Sequence, residues 1–333
     1  MTRGLQTIGR WLVKARQDHG AALVTVMLLV SVMAAGAVVT FDQLGYTVKR
    51  TTARKMFDQA KYYALGGEQL ALSAAEKLTR AKVRLSKPKA VSYPVDGGRI
   101  EGLIRDGSNC FNVNSLVERS DGGMYRINAK SALQFGRLLE LLGLSERDAT
   151  ALTNALIDWL DSDNRPLPMG AEDYDYAGLA VPYRVANTLI ADLSELRLVQ
   201  GYTAEVLELV RPYLCASDNN AETVLNVNTL EVANAPLLAA VIGGDFSVGA
   251  AADLIASRPA GGYSDIADFY FERGFEGRSV EQAIRRQTAV KPQRFVSQIR
   301  VRFHEGMARL TSEIRMDDDG VAYLVRHQFG VFQ

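Results

Sequence analysis

The longest apolar stretch of the chain lies near its beginning. Residues 21–41 read AALVTVMLLVSVMAAGAVVTF and contain no charged side chain. At 1.5 Å per residue, a helix of this length extends about 31 Å, enough to cross a bilayer core of about 30 Å. The twenty residues before it carry four basic side chains and a single acid, Asp18. By the positive-inside rule, this pattern predicts one membrane span with a cytoplasmic N-terminus and an exported remainder.

An amphipathic helical pattern follows the apolar run. Apolar or small residues recur at steps of three and four along one stripe, at Met56, Ala60, Tyr63, Gly67, Leu70, Ala74 and Leu78. The first proline, Pro88, predicts that this helix ends near Lys87. Span and stem together would then form one helix of more than sixty residues, far longer than the average helix of a globular protein.

Strand patterns lie on both sides of a long helical stretch. Residues 91–106 alternate around a DGG turn at 96–98, which predicts a hairpin. Alternation returns in three segments between residues 295 and 329, which predicts an antiparallel meander. Residues 112–291 are predicted to be mostly helical. The simplest architecture is an α+β head whose sheet is interrupted by a helical insertion of roughly 180 residues.

A short motif occurs twice in the helical stretch. Residues 111–116 read FNVNSL and residues 225–230 read LNVNTL. In each copy a capping residue has a glutamate three positions later, Ser115 with Glu118 and Asn228 with Glu231. The motif therefore indicates either repeated helix-start chemistry or two related helical subdomains.

The junction before the apolar run resembles a type IV prepilin or pseudopilin leader, a basic segment ending in Gly20 and followed by a hydrophobic helix. In that family a peptidase cuts after the glycine and methylates the new N-terminus, which here is Ala21. Most members have Glu at the fifth mature position, where this chain has Thr25. The departure fits one branch, the K-type minor pseudopilin of the type II secretion system. An ordinary single-span anchor is the alternative on this stretch alone.

The paired motif and the large insertion are also typical of the K-type pseudopilin. The resemblance implies an α+β fold in which a long pilin-like N-terminal helix packs on an antiparallel sheet, with two inserted subdomains of SAM or helix-hairpin-helix type. It divides the chain into a cleaved leader (1–20), a membrane half-helix (21–41), a periplasmic stem (42–90), a sheet (91–111 and 292–333) and an inserted domain (112–291).

The resemblance also implies a function. Such a protein is a minor pseudopilin at the tip of a short periplasmic pseudopilus, where it nucleates assembly or limits fibre length. The machine exports folded proteins across the outer membrane. The expected partners are the I-type and J-type minor pseudopilins, the prepilin peptidase and the inner-membrane secretion machinery. The expected location is the bacterial inner membrane, with one span and a periplasmic C-terminal domain.

Carboxylates are concentrated in one part of the insertion, at Asp158, Asp161, Asp163, Glu172, Asp173 and Asp175. They repel one another unless they are solvated or bridged by a cation, and oxygen ligands at flexible spacing suit Ca²⁺. The spacing differs from an EF-hand because Arg165 and Pro166 stand at loop positions five and six. K-type pseudopilins bind calcium through a similar segment. The resemblance therefore implies a structural calcium site at Asp161, Asp163, Glu172 and Asp173, with a solvated acidic loop as the alternative.

Few residues offer other chemistry. Cys110 and Cys215 can pair in an oxidising compartment, or remain as two buried thiols. Beyond residue 20 the only histidines are His304 and His327. No nucleophile motif, glycine-rich phosphate loop or HExxH is present. We therefore expect no enzymatic activity.

A competing interpretation concerns residues 225–269. A helix, Gly243-Gly244 and a second helix look like a helix-hairpin-helix module, in which backbone N–H groups contact a phosphate. The alternative function is a membrane-anchored DNA-binding protein. Local charge argues against it, because Arg258 is the only base between Asn226 and Asp268 and phosphate binding needs several cations. The whole chain is also balanced, with 38 basic and 38 acidic residues.

Overall fold

The structure is a computed structural model that describes residues 8–80, 88–317 and 319–330, with side chains from residue 21 onward. In chain order, the helices and strands are α1 (Ile8–Arg80), β1 (Lys89–Val95), β2 (Gly98–Asp106), β3 (Phe111–Asn112), β4 (Val117–Arg119), β5 (Tyr125–Ile127), α2 (Ala129–Leu141), α3 (Glu146–Leu160), α4 (Asp173–Ala177), α5 (Ala204–Val210), β6 (Leu214–Cys215), β7 (Leu225–Asn226), α6 (Ala235–Ile242), α7 (Val248–Ala256), α8 (Ile266–Tyr270), α9 (Gln282–Arg285), β8 (Thr288–Ala289), β9 (Arg294–Phe303), β10 (Gly306–Met316) and β11 (Ala322–Phe329).

The first element is a single helix of 73 residues. The prediction of one helix longer than sixty residues is confirmed. Residues 81–87, where its predicted end falls, lie outside the described residues. Within the part from Ala21 to Arg80, the most apolar window has a mean hydropathy of 2.5 and none of it is buried. This part is long and apolar enough to cross a membrane.

The main sheet has five strands in the order β1-β2-β9-β10-β11. Every neighbouring pair is antiparallel, with a register shift between Glu313 and Ile314 in β10. Side chains of β9 alternate between buried and partly exposed positions, because successive residues of a strand point to opposite faces. The predicted hairpin and meander are confirmed, and they form one sheet.

Helix α1 covers one face of this sheet with small residues. Ala60 and Ala64 are fully buried there. Gly67 lies so close that an added Cβ would be 3.1 Å from Ile299 Cγ2. The predicted stripe is wrong at Leu70, which is 51% exposed. Small side chains allow the helix axis to approach the sheet, whereas a leucine at this angle would separate the two layers.

One buried acid fixes the sheet to α1. Glu68 is 2% exposed, and its carboxylate accepts a hydrogen bond from the Ser312 hydroxyl. His327 Nδ1 lies 3.1 Å from the same oxygen. Strands β10 and β11 are therefore both joined to the helix by polar contacts, which offset the cost of burying the charge.

One end of the sheet lies near the apolar half of α1, and the other end lies far from it. Gly306, at the β9–β10 turn, lies against the backbone of Met56. The opposite end packs in a small core with the last turns of α1, formed by Ala75, Leu78, Ile104, Phe295 and Ile314. From residue 56 to residue 78, the helix rises about 33 Å. The insertion leaves the sheet after β2 and re-enters it at β9, both at the distal end.

The first copy of the repeated motif forms a buried hydrogen-bonded brace. Asn114 is fully buried. Its Nδ2 donates to Ile190 O at 2.9 Å and to Ser217 O, and its Oδ1 accepts from Ile190 N at 2.9 Å. The predicted cap at Ser115 is wrong, because Asn112 caps the short 3₁₀ helix and Ser115 Oγ donates to Asn112 O.

The second copy makes the same set of bonds. Asn228 Nδ2 donates to Tyr263 O at 3.0 Å and Val290 O at 2.9 Å, and Oδ1 accepts from Tyr263 N at 2.7 Å. Each motif also opens with a two-residue parallel pair, β3 with β6 and β7 with β8. The predicted cap at Asn228 is also wrong, because the residue at the start of the next 3₁₀ helix is Glu231. The motif braces two equivalent loops instead of starting α-helices.

The two copies differ in length at one place. Asn114 and Ile190 are separated by 76 positions, whereas Asn228 and Tyr263 are separated by 35. The longer copy contains the β4–β5 hairpin and the segment after α3. That segment carries the acidic residues.

Candidate functional site

The acidic site is built where α3 ends. Ser145 caps the start of this helix, and its side chain accepts from Asp148 N. Leu156, Ile157 and Leu160 are fully buried in the core of the insertion. Because this apolar face packs in the core, the acids beside it in the last turn are buried as well. The backbone leaves the helix at residue 161 in an extended conformation.

Three carboxylates converge in the loop. Asp161, Asp163 and Glu172 each offer an oxygen, and these atoms all lie within 4.8 Å of one another. Asp161 is 6% exposed and Glu172 is 3% exposed. Within the described residues, neither oxygen of Glu172 makes a hydrogen bond of full geometry, and the backbone N–H groups of Asp173 and Asp175 give its carboxylate only weak support. A buried carboxylate with so few donors is costly, so this set of oxygen ligands fits a hard, oxygen-preferring cation.

The electrostatics of the site reflect the crowding of these acids. Burial raises the pKa of Asp161 to about 7, and the nearby charge of Asp163 raises it further. Burial also raises the pKa of Glu172 to about 7, with the charges of Asp158 and Asp161 adding to it. The pKa of Asp158 is raised to about 6, again mainly by burial. A cation at the centre would favour the charged forms of all three.

The remaining acids shape the loop. Asp158 accepts from Leu167 N at 3.1 and 3.2 Å. Asp173 lies outside the converging group, and its Oδ1 accepts from Val185 N at 3.0 Å. Asp175 Oδ2 accepts from Glu172 N at 3.0 Å. The converging group therefore contains three of the four predicted ligands, and the role of Asp173 as a ligand stays a prediction.

One residue of this region has no signal in the sequence. Asn187 has a left-handed backbone with φ of 47°. Its N–H donates to Trp159 O at 3.1 Å, and its Nδ2 donates to Asn164 Oδ1 at 3.3 Å. It thus ties the returning chain to the end of α3. Only the folded loop reveals this role, because Asn187 is far from the acids in sequence.

The N-terminal junction lies within α1. Gly20 and Ala21 are both part of the continuous helix. The Thr25 hydroxyl donates to Ala22 O at 2.9 Å, inside its own helix. The first acid beyond Gly20 is Asp42, so the apolar half of the helix offers no carboxylate to a neighbour.

The two cysteines are joined to each other. The Cys110–Cys215 disulfide closes a sequence separation of 105 residues, with the Cα atoms 5.6 Å apart. Cys215 pairs with Asn112 in the short β3–β6 ladder. The bond therefore links the entrance of the insertion to the end of its first subdomain.

The carbonyl groups of the possible helix-hairpin-helix turn are bound by an arginine of the protein itself. Gly243 and Gly244 have φ of 78° and 58°. Arg137 from α2 donates to Gly244 O and, at 2.8 Å, to Phe246 O. The single base of the module, Arg258, donates to two backbone carbonyls within it. The DNA-binding alternative is not supported.

Comparison with known proteins identifies one family. Two family models, both described as type II secretion system (T2SS), protein K, match residues 109–219 and 225–291. The boundary between them coincides with the boundary between the two copies of the motif.

Whole-chain relatives agree with this match. The type II secretion system protein K of Pectobacterium carotovorum subsp. carotovorum is 33% identical over 325 residues, covering 95% of this chain and 98% of the relative. The protein of that name from Pseudomonas aeruginosa is 35% identical over 273 residues, covering 76% of each. A chain in the crystal structure of the GspK-GspI-GspJ complex from enterotoxigenic Escherichia coli superposes with a TM-score of 0.72 at 25% identity, covering 85% of this chain and all of that chain.

Proposed function

Since the chain belongs to the type II secretion system protein K family, we propose that it caps the tip of the pseudopilus. Its role as a minor pseudopilin follows from the family. In the described part of the chain, the apolar half of α1 is long and apolar enough to serve as a single-pass membrane anchor. At the tip it would nucleate assembly or limit fibre length, with the head in the periplasm.

The position of the insertion carries this proposal. It leaves the sheet at the end farthest from the membrane span, between Asp106 and Arg294. In a fibre, the next subunit would place its head directly above this end. A helical insertion with its own core occupies that space, so no further subunit stacks there. A subunit that cannot be covered belongs at the distal end.

The N-terminal helix supports the same position. In a fibre the amine of an added subunit is buried beside its neighbour, which is costly unless a carboxylate pairs with it. Thr25 offers no carboxylate, and its hydroxyl is bonded within its own helix. The chain is thus a poor acceptor for a subunit above it, but it can itself join a subunit that has the carboxylate.

The partners we propose are the I-type and J-type minor pseudopilins. The related solved chain assembles with GspI and GspJ. Crosslinkers placed beside Thr25 in the native host should reach only a few minor subunits. A ladder of crosslinked copies of this chain along the shaft would contradict the tip position.

We further propose that the prepilin peptidase cuts after Gly20 and that Ala21 becomes the methylated N-terminus. Support comes from the glycine at the end of the basic leader. The Gly20→Ala variant should retain the leader and fail to assemble. Intact Met1 on the wild-type chain in host membranes would exclude this processing.

We propose that the loop after α3 holds a structural calcium ion on Asp161, Asp163 and Glu172. This proposal rests on the convergence of three carboxylates, two of them buried, with few hydrogen-bond donors to the buried Glu172. When bound, calcium supplies the positive charge that these oxygens lack. We also propose that the two braced subdomains are SAM or helix-hairpin-helix folds used for packing, as their equivalent asparagine bonds suggest.

A further inference from the structure

A short stretch of α1 beyond the membrane span, residues 49–55, is basic, with Asp42 before it and Asp58 after it. Lys49, Arg50, Arg54 and Lys55 fall within seven residues, and all four are exposed. In the described part of the chain, the salt bridges join other side chains. The buried helix face begins only at Ala60. These charges therefore do not stabilise the fold.

Membrane topology does not account for them either. The positive-inside rule places an excess of basic residues on the cytoplasmic flank of a span. This chain has four basic residues before the apolar run and four just after it. Cations on the exported flank oppose the orientation, so their presence indicates an interaction made outside the folded head.

The helix geometry brings the four side chains to the bilayer surface. Lys49 lies eight residues beyond Phe41, so its Cα is about 12 Å past the hydrocarbon core, and that of Lys55 is about 21 Å past it. The headgroup layer accounts for about 5–7 Å of this distance. Helical Cα–Cβ bonds tilt toward the N-terminus, which here means toward the bilayer, and long basic side chains extend in the same direction. Lys49 and Arg50 reach the headgroups, and the charged groups of Arg54 and Lys55 come within a screening length of about 8–10 Å when their side chains extend toward the bilayer.

Two further basic residues lie at the end of the sheet that is near the membrane span. The β9–β10 turn lies level with Met56, and Arg99 and Arg302 stand opposite each other at that end of the sheet. Both are exposed. Asp96 and Glu305 in the turns partly offset them. Arg99 and Arg302 thus add positive charge at this end of the sheet, on the sheet face opposite α1.

We propose that Lys49, Arg50, Arg54 and Lys55 bind the headgroups of anionic phospholipids in the leaflet next to the head. The four cations complement the negative charge of these headgroups, and the bilayer that covers residues 21–41 places its headgroups at this height. The contact holds the unassembled subunit against the membrane and is lost when the helix moves into a fibre. This inference requires the membrane span but not the tip position, so the two can fail independently.

The test uses the full chain in lipid nanodiscs of phosphatidylcholine with a minor fraction of phosphatidylglycerol. Spin-labelled lipids report the relative association of the two headgroups with the protein. The variant changes Lys49, Arg50, Arg54 and Lys55 to Gln. The matched control changes four exposed basic residues of the insertion to Gln, which leaves the same net charge: Arg147, Arg197, Arg286 and Lys291.

The wild-type chain and the control should show a several-fold preference for phosphatidylglycerol, because each basic residue near the surface contributes about 1 kcal/mol, or roughly fivefold. The variant should lose about half of this preference, because the four basic residues before the apolar run remain in all three proteins, and raised salt should abolish what remains. An equal preference in variant and wild type would overturn the proposal. A wild-type chain without a preference for phosphatidylglycerol would also overturn it. If the variant then lost the pseudopilins that co-purify with the wild type, the cations would bind an acidic protein surface instead.

Discussion

The proposed calcium site predicts that wild type and the Glu172→Gln variant exchange their order of stability when calcium is added. In the metal-free protein, Glu172 carries a charge that its surroundings disfavour, since burial and neighbouring acids raise its pKa from 4.5 to about 7. At 1.36 kcal/mol per pH unit, that rise corresponds to roughly 3 kcal/mol at pH 8. Glu172→Gln removes the charge. In EDTA at pH 8, the variant should therefore be at least as stable as wild type, with a gain of up to about 3 kcal/mol.

Calcium should reverse this order. A ligand present at 100 times its Kd stabilises the folded state by about 2.7 kcal/mol, which raises Tm by about 5–10 °C for domains of this size. Wild type should show this rise, and Glu172→Gln should lose most of it, because one of three charged ligands has become neutral. Glu140→Gln is the matched control, since Glu140 is exposed and lies outside the converging group.

The assay is thermal unfolding of the full chain in detergent, followed by circular dichroism with EDTA or with millimolar calcium. The reasoning is refuted if calcium does not raise Tm of wild type, or if Glu172→Gln keeps the whole rise. A variant that is strongly destabilised in EDTA would also refute it, since the carboxylate would then be stabilising without a metal. Magnesium serves as a control for ionic strength and should have a smaller effect.

The same site predicts how stability depends on pH. The folded-state pKa values of Asp161 and Glu172 are raised to about 7, so between about pH 4.5 and 7 the folded protein binds more protons than the unfolded chain. In EDTA, this contribution is present at low pH and is lost as pH rises through about 7. With calcium bound the trend should reverse, because protons compete with the metal. A Tm in EDTA that rises across this interval, and that does so equally in Glu172→Gln, would contradict the assignment.

The remaining predictions concern stability and use the same thermal assay. Gly67→Leu should lower Tm by several degrees because the new side chain separates α1 from the sheet. Gly66→Leu is the control and should raise Tm slightly, because nothing lies within 4 Å of its added Cβ. Equal effects of the two substitutions would contradict the packing. Asn228→Ala should cost about 3 kcal/mol, since it leaves three buried backbone groups unpaired. Replacing Cys110 and Cys215 by Ser should cost about 2–5 kcal/mol, and an unchanged Tm would show that the bond does not constrain the chain.

Local sequence patterns determined the elements of this protein. An uncharged run of bilayer length, a glycine before it and an amphipathic continuation are sufficient to predict the long helix, because hydropathy and period depend only on neighbouring residues. The antiparallel strands were predictable for the same reason, since alternation shows directly which strand face is buried. The family resemblance was also contained in the sequence, in the leader glycine, in Thr25 and in the paired NVN motif.

Tertiary structure decided the contacts between distant segments. The stripe that α1 buries is set by how closely a helix can approach a sheet, which favours Ala64 over Leu70. The roles of Asn114 and Asn228 as braces depend on loops 76 and 35 residues away, which no local pattern encodes. The acidic cluster could be predicted, but the separation of Asp173 from Glu172 could not, because only the folded loop shows which carboxylates converge.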